Sequence, residues 1–232
     1  MEDAADVEAF YDQFEERLGL TGDYEHLEPV LPDVSGKRVL DAGCGLGAGS
    51  QYLADSGATV VGVDLSNEHV EAARAEYGAD VEFHRMDLTE PLDHFDDGSF
   101  DLVVCALVLA HVEDWDQPFA EFARLLGGSG SVVVHVHHPF VDYLELESDS
   151  ADNVLGEAAE YAAVEQFGRP WGPDGAIMPM YRRPLGEYLR PALDAGFVLA
   201  EFLEPGAGPH DTERYDPDRP PRHLLARFDR CE

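Results

Sequence analysis

Apolar positions from Asp3 to Leu18 fall at Val7, Phe10, Tyr11, Phe14 and Leu18, a helical spacing that predicts an amphipathic N-terminal helix. Past the prolines at 29 and 32 the period changes. Arg38-Val39-Leu40 reads as a short buried strand running into a glycine-rich turn, with a helix through about Gly57 behind it. Thr59 to Val63 is a second strand, Asn67 to Tyr77 a helix capped by Ser66, and Val81 to Met86 a third strand. Phe100 to Ala106 makes a fourth, Trp115 to Leu126 a helix, and Ser131 to His137 a fifth strand after the Gly127-Gly128 turn. Strands alternating with helices predict an α/β fold with a parallel sheet and right-handed crossovers.

The rhythm breaks over residues 139–181, where Phe140, Tyr143, Tyr161, Phe167, Trp171, Met178 and Tyr181 supply enough apolar surface to roof a pocket. This insertion is expected to form a substrate lid, and residues 1–36 a helical cap, on a single domain covering 1–232. A helix is expected from Pro184 to Ala195, ended by Gly196. Phe197 to Phe202 and His223 to Phe228 read as an antiparallel pair, because their connection is too rich in proline and glycine for a crossover helix.

Composition narrows the function classes. The chain carries 48 acidic and 15 basic residues, a net charge of −33 on 232 residues. Area scaling gives a folded surface of roughly 10,400 Å², hence about one uncompensated negative charge per 300 Å². That field repels phosphate backbones and anionic lipid headgroups alike, so nucleic acid is not expected as a partner. With 44% hydrophobic and 10% aromatic residues the chain is folded rather than disordered. Lys37 is the only lysine, and the scattered acids resemble those of cytosolic proteins from extreme halophiles.

Met1-Glu2-Asp3 lacks a secretory n-region, and the longest apolar run, from Leu102 to Ala110, is far shorter than the roughly 18 residues of a membrane span. A cytoplasmic location without a membrane span is therefore expected. The three cysteines form neither a disulfide framework nor a zinc spacing. His135, His137 and His138 have no third partner at zinc-like spacing, so no metal is expected. Oligomeric state is left open between monomer and homodimer.

The strongest chemical signal is Val39-Leu40-Asp41-Ala42-Gly43-Cys44-Gly45-Leu46-Gly47, a buried strand entering a turn with glycine at alternate positions. Gly43 and Gly45 leave room for a ligand's close approach to backbone. Gly43, Gly45 and Ala48 also satisfy the dinucleotide pattern G-x-G-x-x-A. Asp64, about 20 residues on, suits the vicinal hydroxyls of a ribose under either reading. Asp41 favours a ligand bearing ammonium and sulfonium groups, since beside a pyrophosphate it would be repulsive. Asp87 can accept from an exocyclic adenine amine, with backbone from Met86 to Leu88 along the ring. The three aspartates together describe S-adenosylmethionine as cofactor.

Residues 37–137 resemble the core of class I S-adenosylmethionine-dependent methyltransferases. Val39 to Gly47 is similar to their first motif, Val61 to Leu65 to their acidic ribose motif, and Met86-Asp87 to their adenine-binding acid. Phe100-Asp101-Leu102-Val103-Val104, Leu109-Ala110-His111-Val112 and Arg124-Leu125-Leu126-Gly127-Gly128 match later motifs in order. His138-Pro139-Phe140, Tyr181-Arg182-Arg183-Pro184-Leu185 and Ala195-Gly196-Phe197 are more loosely similar to small-molecule members near the quinone-biosynthesis type.

The resemblance implies a Rossmann-like seven-stranded sheet of order 3-2-1-4-5-7-6 with the last strand antiparallel. It implies cofactor contacts from Asp41, Gly43, Gly45, Asp64, Leu65, Met86, Asp87, Leu88 and Ala106, capped by Tyr11. The implied reaction is methyl transfer to a small, apolar or aromatic acceptor, releasing S-adenosylhomocysteine. His111, just after the fourth strand, is the candidate base; packing of a helix or bonding to backbone is its bland role. Arg182 and Arg183 are candidates to pair an acidic acceptor or surface carboxylates. An NAD(P)-dependent oxidoreductase and a noncatalytic nucleotide-sensing or protein-binding module are the alternatives.

Charge alone yields a first prediction. Molar salt shortens the Debye length from about 8 Å to about 3 Å and quiets carboxylate repulsion. Urea midpoints and activity should both rise between dilute buffer and molar KCl. Equal or higher values in dilute buffer would refute a salt-adapted chain.

Overall fold

The computed structural model describes residues 24–139, 162–171, 176–205, 221 and 223–230. The expected helix over 3–18, Tyr11 with it, lies outside the described residues. The first turn of structure is a 3-10 helix, Glu25–Leu27. Strands β1 (Arg38–Ala42), β2 (Thr59–Asp64), β3 (Glu82–Arg85), β4 (Leu102–Ala106) and β5 (Ser131–His137) follow, joined by helices α1 (Ala48–Asp55), α2 (Asn67–Tyr77) and α3 (Asp116–Leu126). Hairpin strands β6 (Glu165–Trp171) and β7 (Ala176–Arg182) come next, then α4 (Arg190–Asp194), β8 (Phe197–Leu203) and β9 (His223–Arg230).

Seven strands form one sheet of order β3-β2-β1-β4-β5-β9-β8. Pairing is parallel from β3 to β5 and antiparallel for β9 against both β5 and β8. With β8 and β9 as its sixth and seventh strands, this is the expected 3-2-1-4-5-7-6 sheet. The parallel strands are buried on both faces, and their apolar runs divide by alternation. Val132, Val134 and Val136 of β5 join the core under α3, while Val133 points to the opposite core with Leu53 of α1 and Val70 of α2.

Local signals act as their chemistry requires. Ser66 caps α2 by accepting from the His69 amide at 3.1 Å. The helix expected over 184–195 is instead a 3-10 turn, Leu185–Tyr188, followed by the short α4. Pro191 is the reason: it has no N–H to give and clashes with the preceding turn, so it sits at the start of a new helix rather than inside an old one. In the 139–181 insertion, β6 and β7 pair antiparallel as a separate two-stranded sheet, from Glu165 with Arg182 to Trp171 with Ala176.

Phe119 locks α3 to the sheet. Its buried ring lies 5.8 Å from Phe122, 6.2 Å from Phe197 and 5.9 Å from Phe228, all at steep interplanar angles. Phe119→Ala removes this junction and should cost about 3–5 kcal/mol in urea unfolding. A loss under 1 kcal/mol would show that the three surrounding rings collapse onto the gap.

Candidate functional site

The carboxyl ends of the parallel strands gather most of the residues singled out by motif. β1 delivers Asp41, wholly buried, and its two oxygens are both engaged. Tyr24 donates to Oδ1 at 2.6 Å and Ser50, on α1, donates to Oδ2 at 2.5 Å. Burial pushes the Asp41 carboxyl up to about 6, against the opposing pull of these two hydrogen bonds. Burial and the neighbouring carboxylate also push the Tyr24 hydroxyl well up, so it stays a donor. Asp41 therefore faces protein donors at the base of the turn.

The turn itself is shaped by backbone. Gly43 (φ 84°) and Gly45 (φ 51°) both occupy the left-handed region. A Cβ at Gly43 would strike Val108 at 2.6 Å, so this glycine is required by packing as well as by its dihedral. A Cβ at Gly45 would meet nothing within 4 Å, which marks open space beside the turn. The Gly45 amide donates to Asp64 Oδ2 at 2.9 Å, and the Ser66 amide donates to Oδ1 at 2.9 Å. The end of β2 thus clasps the glycine turn through one carboxylate. Amides of Gly43 and Cys44 donate to the Val63 carbonyl at 2.7 and 2.9 Å and reinforce it.

On the neighbouring strand end, the Met86 amide donates to the Asp64 carbonyl at 2.9 Å, and Arg85 Nε donates to the Leu65 carbonyl at 2.9 Å. Asp87 follows, half-buried, with Oδ1 accepting from the Thr89 amide and hydroxyl at 2.9 and 2.7 Å. Leu88 is buried beneath. Ala106 ends β4, and the next residue, Leu107, has a positive φ of 61°. Leucine in that region is strained, which identifies a backbone held in place by its surroundings, here by the Leu107 amide on the His135 carbonyl at 2.7 Å. No local sequence signal announces this, since Leu107 sits in an ordinary apolar run.

His111 lies on a 3-10 turn after β4, and its Nδ1 donates to the Pro179 carbonyl of β7 at 2.6 Å. Burial lowers the imidazole's pKa, with the carbonyl and Asp64 working the other way. It is therefore a neutral ring whose proton sits on Nδ1 and whose Nε2 is an acceptor. His135 and His137 of β5 and His138 just after it diverge. His135 is buried between His26 (3.0 Å) and His223 (2.9 Å), and His138 contacts Glu204 at 2.7 Å. His137, at the strand tip, is held neutral by burial, then by Arg169, His223 and His111.

Both arginines of the 182–183 pair are buried. Arg182 bridges Glu165 across the hairpin at 2.6 Å. Arg183 lies buried over the Trp115 ring at 4.4 Å and donates to the Val112 and Glu113 carbonyls. Tyr24 and Ser50, which satisfy Asp41, belong to no motif: they stand 17 and 9 residues away, and only the fold unites the three.

Asp41 yields a pH prediction with a definite sign. A carboxyl raised in the folded state binds its proton more tightly there than in the unfolded chain, so stability falls as pH rises from about 4 to about 6 and then levels. Asp41→Asn lacks this titration. Its urea stability relative to the parent should climb by about 3 kcal/mol over that interval, from 1.36 kcal/mol per unit. A difference independent of pH would show that Asp41 ionises at an ordinary value.

Comparison with known proteins agrees with the geometry. A methyltransferase domain model matches residues 40–134, the stretch from β1 to β5. A ubiquinone biosynthesis O-methyltransferase of Burkholderia vietnamiensis is 30% identical over 203 residues, covering 86% of this chain and 75% of the relative. A protein of the same description from Aromatoleum aromaticum is 33% identical over 144 residues, 56% of this chain and 61% of the relative, and one from Ralstonia nicotianae is matched over 65% of its length. The first curated relatives are thus spanned for somewhat under two thirds of their length. The crystal structure of an S-adenosylmethionine-dependent methyltransferase from Mesorhizobium loti superposes with a TM-score of 0.69 at 26% identity, covering 88% of this chain and 95% of that one. With the 3-2-1-4-5 parallel core, the glycine turn clasped by Asp64 and a long alignment to named methyltransferases, this chain belongs to the class I S-adenosylmethionine-dependent methyltransferase family.

Proposed function

We propose that the protein transfers the methyl group of S-adenosylmethionine to a hydroxyl of a small apolar or aromatic molecule. The observation that carries this reading is the clasp of Gly45 on Asp64 beside open space at the carboxyl ends of β1 and β2. The relatives' description as O-methyltransferases of ubiquinone biosynthesis supports oxygen as the acceptor atom and an apolar substrate. The donor set fits the cofactor. Two half-buried carboxylates, Asp64 and Asp87, stand at adjacent strand ends, where ribose hydroxyls and an adenine amine need acceptors. When bound, S-adenosylmethionine supplies a carbon already activated by its sulfonium.

The chain's own work is then alignment and the handling of one proton. Asp64 accepts ribose hydroxyls with the lone pairs left by Gly45 and Ser66. Leu65, Met86 and Leu88 flank the base, while Asp87 keeps Oδ2 for its amine. Gly43 and Gly45 bring backbone close to the ligand, and Ala106 lines the end of β4. His111 would take the acceptor's hydroxyl proton at Nε2, the methyl group being supplied by bound S-adenosylmethionine. The described hairpin, in which Phe167, Met178 and Met180 are buried, supports a lid that excludes water. Among the described residues no helix is long and apolar enough to cross a membrane. The net charge of −33 supports a small-molecule acceptor over nucleic acid.

A thermal-shift panel tests the reading. S-adenosylhomocysteine at 100 times its dissociation constant should stabilise the protein by about 2.7 kcal/mol, and NAD should not. Asp64→Ala should abolish that shift, and methyl-labelled S-adenosylmethionine with a cell extract should give a labelled, lipid-extractable product. Stabilisation by NAD alone would overturn the proposal.

A further inference from the structure

Away from the carboxyl ends just described, the β3 edge of the sheet carries a second constellation. Glu82 and His84 are two residues apart on β3, so they share one face of a strand that has a neighbour on one side only. His94, from the connection between β3 and β4, folds back until its ring lies 4.5 Å from that of His84, tilted by 48°. His84 Nε2 is 2.8 Å from Glu82 Oε1. One ligating atom from each of the three falls within 4.8 Å of the other two.

The two imidazoles are braced from below. Phe95 meets His84 edge-on at 5.9 Å and His94 at 5.1 Å, and is itself buried against Phe100 at 5.2 Å. The arrangement therefore has the parts of a metal site, although the spacing of these residues in sequence gives no zinc pattern.

We propose that Glu82, His84 and His94 bind a divalent ion of the zinc class. Two imidazoles and a carboxylate are a recurrent zinc donor set, whereas magnesium and calcium take oxygen. Bonds of about 2.0–2.1 Å at the tetrahedral angle separate ligand atoms by roughly 3.4 Å. The present spacing, from 2.8 Å up to 4.8 Å, brackets that value, so side-chain rotation alone closes the site. On binding, the His84 hydrogen that bridges Nε2 and Glu82 moves to Nδ1, and the ion takes its place on the Nε2 lone pair. Glu82 and His94 are exposed, so water completes the coordination. A net charge of −33 raises the local concentration of cations.

Bridging His84 to His94 closes a ring around residues 85–93, and Asp87 is inside it. The ion thereby restrains the segment that presents the adenine carboxylate, a consequence that rests on the methyltransferase reading, whereas the metal site itself does not. Titration of tag-free full chain with Zn²⁺ alone, in the absence of any nucleotide, tests the site. One ion per chain should bind saturably, and Glu82→Gln and His94→Ala, both exposed positions, should each weaken binding tenfold or more. Absence of saturable binding, or binding that both variants retain, would overturn the site. S-adenosylhomocysteine affinity should then change at least threefold on adding Zn²⁺ to the parent chain and not to His94→Ala. An affinity indifferent to bound zinc would overturn the coupling, while failure to bind S-adenosylhomocysteine at all, with zinc bound normally, would count against the methyltransferase reading instead.

Discussion

A carboxylate with no exposure to water at the end of the central strand is the constraint on which the ligand end of this molecule depends. Asp41 must be supplied with donors, because an unpaired buried charge costs several kcal/mol. Tyr24 and Ser50 supply them, and in doing so they fix two elements at once. The segment at 24–34 is drawn onto the sheet, where Leu27, Val30 and Val34 enter the core with Val39 and Leu53. The first turn of α1 is drawn down behind the glycine loop. The loop's shape is then the only path left between β1 and α1.

The neighbouring strand adds the second restraint. Asp64 accepts from the glycine turn on one oxygen and from the start of α2 on the other, so two loops share a single side chain. A site made this way sits on strand ends rather than on freely moving loops. Displacement at an activated methyl carbon asks for little more than alignment and a dry environment, which is the kind of help a stiff platform gives.

Much of this was legible in the chain because it is written locally. The apolar runs of β1, β2, β4 and β5, the Ser66 cap and the glycine turn with Asp64 some 20 residues on are all short-range patterns. Where several weak signals are needed together, reading falters. Pro191 sits in a run that otherwise reads as helical, and although the turn signal Gly172-Pro173-Asp174-Gly175 stands between β6 and β7, Pro170 and Pro179 interrupt the runs on either side and obscure them as strands. Tyr24 and Ser50 mean nothing until Asp41 is known to be buried. Leu107 gives no hint of its left-handed backbone, since that is imposed by the β5 carbonyl it must reach. Glu82, His84 and His94 meet only because a connecting segment returns across the sheet edge.

The hydrogen bond from His111 Nδ1 to the Pro179 carbonyl joins the parallel core to the hairpin. It means that an imidazole's tautomer and a hairpin's position are one equilibrium seen from two sides. Lifting the hairpin removes the acceptor that pins the ring's hydrogen, and moving that hydrogen to Nε2 removes a fastening of the hairpin. By reciprocity, whatever seats the hairpin sets the ring, and by the same free energy whatever sets the ring seats the hairpin. Seating the hairpin and setting the tautomer of this imidazole are thus not two events in sequence but a single interlock.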